Sequence, residues 1–231
     1  SENLKAQIRG LGQAERNTQD GISLVQIAEG GLSEISNILI RLRELAVQAA
    51  SDTIGATERK FLNVEFEQLV AETDRIANST EFNRVPLLNG TGAVFDIQIG
   101  TRNDPISDRL TFDASSADVN VAALGLNLAS VADKISAQNS LSSIDQAIVS
   151  VSGIRADFGA LQNRLQSTIN NIATSIENLS AANSRVRDTD IASETANLTK
   201  QNILMTAGTS VLAQANSSTQ SALSLIQAAS S

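Results

Sequence analysis

The sequence predicts a mainly α protein: an elongated antiparallel helical bundle, a small β-hairpin region between its helices, and a separate C-terminal helix. Three observations carry this expectation. In several long stretches apolar residues recur at alternating spacings of four and three, the period of a helix packed along a seam. Between residues 95 and 112 the period drops to two, the alternation of a strand with one buried face. Residues 201–231 hold no Asp, Glu, Lys or Arg, yet keep a heptad stripe through Leu204, Gly208, Val211, Ala215, Ser218, Ala222 and Leu225. A membrane span is interrupted too densely there by Asn, Gln, Ser and Thr, and a solvated tail is ordinarily rich in charge. What remains is a helix meant to be covered by copies of itself or by a partner.

The first stretch covers residues 24–50. Leu24, Ala28, Gly31, Ile35, Ile38, Leu42, Leu45 and Ala49 alternate four and three, and Val25, Leu32, Leu39 and Ala46 widen the stripe. That width belongs to a bundle helix rather than a narrow two-stranded seam. Such a helix is about 40 Å long. Gly30-Gly31 costs it roughly 1 kcal/mol per glycine relative to Ala, which close backbone approach by a neighbouring helix is expected to offset. Propensity alone places a break upstream, at Asp20-Gly21. Ser51-Asp52-Thr53-Ile54-Gly55 reads as a turn, and Thr57 opens a second helix with the stripe Leu62, Phe66, Leu69, Thr73 and Ile76. A connection this short makes the two helices antiparallel neighbours.

Residues 80–92 read as a loop, with Pro86 and Asn89-Gly90 as turn signals. Phe95, Ile97 and Ile99 then alternate with polar residues, as do Leu110 and Phe112, across a segment containing Asn103-Asp104-Pro105. This predicts a β-hairpin with a longer loop. Residues 114–138 are small, polar and weakly patterned, consistent with a loop holding one short helical turn. The third long helix is expected over 140–183, with Leu141, Ile144, Ile148, Val151, Phe158, Leu165, Ile169, Ile172, Ile176 and Leu179 in one register. Arg155 and Gln162 intrude on that register. Leu42 and Leu45 are expected to face the 148–165 stretch or its neighbours. A charged junction at residues 185–189 separates this helix from the uncharged tail.

Composition excludes most catalytic classes. With no Cys, His, Trp or Tyr, the usual transition-metal sites and the Ser–His or Cys–His nucleophile pairs cannot be built. Hard-cation binding and carboxylate-only hydrolysis are left open, but Asp96, Asp104, Asp108, Asp113 and Asp118 are unpatterned. Asp188, Asp190 and Glu194 lack a glycine-containing calcium loop and read as a charged helix start. A net charge of −8 with no Lys/Arg-rich run argues against nucleic acid and anionic membranes. No signal peptide or transmembrane run is present, and no cofactor is expected. Absence of a starting Met suggests a processed or trimmed chain.

Several ordered blocks resemble bacterial flagellin. They are Asn17-Thr18-Gln19-Asp20-Gly21-Ile22-Ser23 with Glu29-Gly30-Gly31-Leu32, then Arg41-Leu42-Arg43-Glu44-Leu45-Ala46-Val47-Gln48-Ala49, Asp74-Arg75-Ile76 and Glu81-Phe82-Asn83. Towards the other end stand Gly159-Ala160-Leu161-Gln162-Asn163-Arg164 and Ala207-Gly208-Thr209-Ser210-Val211-Leu212-Ala213-Gln214-Ala215-Asn216. The resemblance covers nearly the whole chain except about residues 91–138, where flagellins vary most. It departs in two places. The family's first helical segment, which pairs with the C-terminal helix to line the filament's inner tube, has no counterpart, so a truncated form unable to polymerise normally is expected. No large outer domain is inserted either.

The resemblance implies a structural subunit of the bacterial flagellar filament, not an enzyme, that self-assembles through coiled-coil-like helix packing for swimming motility. It implies a rod domain over 1–183, made of helices (1–80), a hairpin and variable region (81–139) and a returning helix (140–183). A joint follows at 184–192, then an inner-tube helix over 193–231. Implied partners are other flagellin subunits, an export chaperone on the C-terminal helix through Leu204, Val211 and Leu225, and the flagellin-sensing Toll-like receptor. Arg41, Arg43, Leu45 and Glu65 form the implied subunit and receptor contact surface, although the same residues also fit a solvated helix face, and Leu45 lies in the apolar stripe. Ile40 departs from the Gln common beside this motif. The implied location is extracellular, in the filament, after passage through the flagellar export apparatus. A flagellin-like cell-surface binding protein is the alternative.

Overall fold

The computed structural model describes residues 2–229, with side chains for all of these except 187–190 and 224–229. Helix α1 (Glu2–Ala49) and helix α2 (Ala56–Ser79) are followed by four short strands and by helix α3 (Lys134–Ala229). The strands form two antiparallel pairs. One joins β1 (Glu81–Phe82) to β2 (Val85–Pro86), and the other joins β3 (Val94–Gln98) to β4 (Arg109–Asp113). A 3-10 turn, Ala114–Ser116, follows β4.

Residues 7–176 form one compact unit, and its core is built on α1. The buried line on α1 runs Ala14, Thr18, Gly21, Val25, Ala28, Leu32, Ile35, Leu39, Leu42, Ala46, Ala49, alternating four and three throughout. Gly31 and Ile38, expected at its centre, lie on its flank and are only partly buried. Thr18 is tolerated on the line because its hydroxyl donates to the Ala14 carbonyl at 2.7 Å, which leaves no unpaired polar group in the core.

Helix α1 does not break at Asp20-Gly21. A Cβ at Gly21 would stand 2.6 Å from Ile97 Cδ1 and 3.5 Å from Leu165 Cδ1. The glycine is therefore a seat for strand β3, and packing of the surrounding helix overrides its local propensity. At Gly31 the close neighbours are Thr80 Oγ1, 2.7 Å from an added Cβ, and Leu88 Cδ1 at 2.9 Å. They come from the connection after α2 rather than from a helix as expected. Gly30 has nothing within 4 Å.

Helix α1 ends where Arg59 of α2 reaches back, its Nε and Nη2 donating to the Ala49 and Ser51 carbonyls, each at 2.7 Å. A guanidinium there satisfies carbonyls that the helix leaves unpaired and suits the negative end of its dipole. The turn-back makes α1 and α2 antiparallel, with Arg41 of α1 paired to Glu65 of α2. Helix α2 buries Phe66, Thr73 and Ala77 and packs Leu62, Leu69 and Ile76 at the core's edge, close to the expected stripe.

Residues 80–92 hold more order than expected. Phe82 pairs with Val85 across a two-residue turn in which Asn83 (φ 50) and Arg84 (φ 64) are both left-handed, the backbone that matches strand twist. The expected hairpin forms with Phe95 opposite Phe112 and Ile97 opposite Leu110. It rests on α1, where Asn17 Nδ2 donates to the Gln98 carbonyl at 3.0 Å, and on α3, where the Phe112 and Phe158 rings lie 4.9 Å apart.

The segment between β4 and α3 is loop-like but far from idle. Ala117, Val119, Leu124, Leu126 and Val131 are buried. Asp74 of α2 accepts from Val121 N, and Asn63 accepts from Val131 N. Each apolar group enters the core individually, so no period betrayed it. Helix α3 starts at Lys134 rather than near residue 140 because the Asp133 carboxylate accepts from Ser136 N (2.9 Å) and Ser136 Oγ (2.7 Å), an N-cap.

Helix α3 runs antiparallel to α1. Gly21 abuts Leu165, Glu29 pairs with Arg155, and Arg43 pairs with Asp145. Leu42 is thus level with Ile144, just before the stretch it was expected to face. The helix continues without interruption through the charged residues 185–189, where a junction was expected. Residues 1–6 and 177–231 form the second compact unit, in which every described side chain from Ser184 to Leu223 is exposed.

Candidate functional site

Among the described residues no three His, Cys, Asp or Glu side chains are grouped as metal ligands. Glu194 is exposed, and the side chains of Asp188 and Asp190 lie outside the described residues. What the fold presents is surface, in two places.

The first lies across α1 and α2. Arg41 donates from Nε and Nη2 to Glu65 Oε1 at 2.8 and 2.7 Å, and from Nη1 to Glu44 Oε2 at 3.0 Å. Hydrogen bonding to Glu65, then to Glu44, raises the Arg41 pKa further above its ordinary value, so the guanidinium is a fixed cation. Arg43 Nε donates to Asp145 Oδ1 of α3 at 2.7 Å, with both side chains about half exposed. Arg41, Arg43 and Glu65 are thus exposed; Arg41 and Glu65 touch, whereas Arg43 turns to α3. Leu45 is different: at 1% exposure it belongs to the core, as its place in the stripe requires, and contributes by seating the helix.

Sequence reasoning missed the apolar part of the same face. Ile40 and Val47 stand 50% exposed on α1, and Phe61 and Val64 are 70% and 58% exposed on α2. Ile40, Glu44 and Val47 share one helical face by their spacing, as do Phe61, Val64 and Glu65. The Arg41–Glu65 pair joins the two faces. The available signal was their position off the core stripe: a Phe or Ile there has no internal reason to be apolar.

The second surface is the tail of α3. Leu204 is 58% and Val211 67% exposed, and Leu198, Ile203, Met205 and Leu212 are similarly bare. The Leu225 side chain lies outside the described residues. Fully covering a side chain of this size is worth about 1.5–3 kcal/mol, so a row of them is a substantial drive to associate. No described helix is long and apolar enough to cross a membrane.

A sequence model of the bacterial flagellin N-terminal helical region matches residues 1–93, and one of the C-terminal helical region matches residues 141–226. The gap between them is nearly the segment where the resemblance in sequence lapses. A flagellin of Halalkalibacterium halodurans is 43% identical over 227 residues, covering 98% of this chain and 82% of the relative. A flagellin of Bacillus subtilis is 42% identical, covering 98% and 84%. A flagellar filament 33 kDa core protein of Treponema phagedenis is 40% identical, covering 98% and 83%. Among solved structures, Bacillus cereus flagellin superposes with a TM-score of 0.62 at 36% identity, covering 73% of this chain and 94% of that one. With helices, hairpin and returning helix in the order the family has them and both terminal regions matched, this chain belongs to the bacterial flagellin family.

Proposed function

We propose that this chain is a structural subunit of a bacterial flagellar filament, exported from the cell, that self-assembles through helix packing and serves motility. The observation that carries the reading is the tail of α3. There an uncharged sequence adopts a helix whose described apolar side chains, Leu204 and Val211 among them, are all exposed. Such a helix acquires tertiary stabilisation only when other chains cover it. Relatives named as flagellar filament core proteins support the same role.

In this reading residues 1–183 make the rod (helices 1–80, hairpin and variable region 81–139, returning helix 140–183), 184–192 the joint and 193–231 the inner-tube helix. Before export a chaperone covers the tail along Leu204, Val211 and Leu225. Arg41, Arg43 and Glu65, with the exposed Ile40, Val47, Phe61 and Val64, form a contact face toward neighbouring subunits. That face is also the one a flagellin-sensing Toll-like receptor engages.

Electron microscopy of filaments sheared from the producing cells, with peptide mass spectrometry, tests the main reading. Peptides of this chain in the filament fraction are expected, and their confinement to soluble fractions overturns it. For the contact face, Arg41→Ala and Glu65→Ala should each lower receptor signalling with the circular dichroism spectrum unchanged. Undiminished signalling by both variants of an active parent dismisses that surface as the receptor contact.

A further inference from the structure

We infer that the Glu29–Arg155 pair sets the axial register of α1 against α3, and that it supplies specificity of packing rather than stability. Arg155 occupies the step between Val151 and Phe158 where the four-three alternation of α3 calls for an apolar residue. Its Nε and Nη2 both donate to Glu29 Oε1, at 2.8 and 2.6 Å. Both side chains are largely covered, with 39% and 34% exposed. The other carboxylate oxygen, Glu29 Oε2, is sealed from solvent and accepts no hydrogen bond from any described residue.

A largely covered ion pair with one oxygen unsatisfied is a poor source of stability, because desolvating the charges offsets their attraction. An apolar pair would fit the stripe better. The pair does something an apolar pair cannot. Apart from Thr18, Gly21 and Phe158, the facing stripes are repeats of Ala, Leu, Ile and Val, and sliding one helix by a heptad, about 10.5 Å, lays aliphatic on aliphatic again over most of the seam. A slide in one direction puts Glu29 opposite Ile148 and Arg155 opposite Ile22, so that each charge is left against an apolar side chain. A slide in the other direction puts them opposite Gln162 and Ser36, neither of which can neutralise a charge. A lone polar position fixing the register of an otherwise degenerate seam has precedent in coiled coils. Arg43–Asp145 is half exposed and discriminates less, since water can take either partner's place.

The chain contains no Cys, so two introduced cysteines carry spin labels uniquely. Gln26 of α1 and Val149 of α3 are both exposed. In the observed register they stand about eleven residues apart along the pair, about 16 Å axially, and a one-heptad slide changes that to roughly 6 or 27 Å. Distance distributions from double electron–electron resonance should show one population in the full chain. The doubly apolar variant Glu29→Leu/Arg155→Met should melt no lower than the parent and show a second population. The swapped variant Glu29→Arg/Arg155→Glu should return to one. A single parental distance in the apolar variant overturns the proposal. So does its failure to fold or a lower melting temperature, which would make the pair a source of stability, and so does a second population in the swapped variant.

Discussion

At the scale of single residues, burial decides which positions matter. Leu42 is 0% exposed at the centre of the α1 stripe. Leu42→Ala removes its packing and leaves a cavity, and should cost about 2–5 kcal/mol. Urea denaturation read by circular dichroism measures it, with the half-exposed Val47→Ala as the control expected to change little. Arg84 carries the opposite lesson. At φ 64 its Cβ crowds the following carbonyl, a strain of roughly 1–2 kcal/mol that glycine escapes. Arg84→Gly should therefore raise stability by about 1 kcal/mol after the added freedom of the unfolded chain is counted. A lowered urea midpoint would mean that the Arg84 side chain makes contacts worth more than the strain. The burial of Leu45 was legible in the sequence from its place in the stripe, whereas the strain at Arg84 was not. That strain depends on a turn whose strands are only two residues each.

At the scale of elements, adjacent glycines on α1 should behave differently. Gly30→Ala places a methyl in open space and gains helix propensity, about 1 kcal/mol. Gly31→Ala drives a methyl against Thr80, whose hydroxyl is tied to the Ile76 carbonyl at 2.7 Å and cannot simply rotate away. A net loss of about 1–2 kcal/mol is expected from this overpacking. Paired thermal melts with shifts of opposite sign check both. The start of α3 should be sensitive to acid. Hydrogen bonds from the Ser136 backbone N–H and then its hydroxyl hold the Asp133 carboxyl below its ordinary range. The Lys134 ammonium does the same to Asp52, chiefly by hydrogen bonding. A carboxyl with a depressed folded pKa stabilises the fold above its unfolded value of about 3.9 and ceases to do so as pH falls through the folded value. The stability gap between the parent and Asp133→Asn should accordingly be present at about pH 6 and shrink below about pH 4. A gap independent of pH would show that the cap does not require the charge.

At the scale of the molecule, the two compact units should differ in stability. The unit spanning residues 7–176 holds the buried core, whereas the described side chains from Ser184 to Leu223 are exposed. Solitary helices are marginal in water even with good propensity, because tertiary packing supplies most of a helix's stability. Hydrogen exchange on dilute monomer should therefore show amides of residues 204–223 exchanging fast while those of 28–45 on α1 are strongly protected. Protection of both segments to the same degree, with no partner present, would overturn the view that the tail is ordered by assembly.

The amino-acid order by itself determined the helices, the hairpin and the uncovered tail, because period and charge are local properties of a chain. Four-three spacing from residue 24 onward, the two-residue alternation of Phe95 to Phe112 and the missing charges after Lys200 can each be read without knowing any neighbour. The family blocks were equally legible, as runs of consecutive residues. Tertiary structure decided what depends on a partner distant in sequence. Helix α1 passes through Gly21 because Ile97 fills the space a side chain would take. Residues 117–131 enter the core singly, held by Asp74 and Asn63 of α2. Arg155 keeps its place in the apolar stripe by pairing with Glu29 across the helices. In each case the energy lies in a contact made only once the chain has returned on itself, and no local pattern encodes which residue will be waiting there.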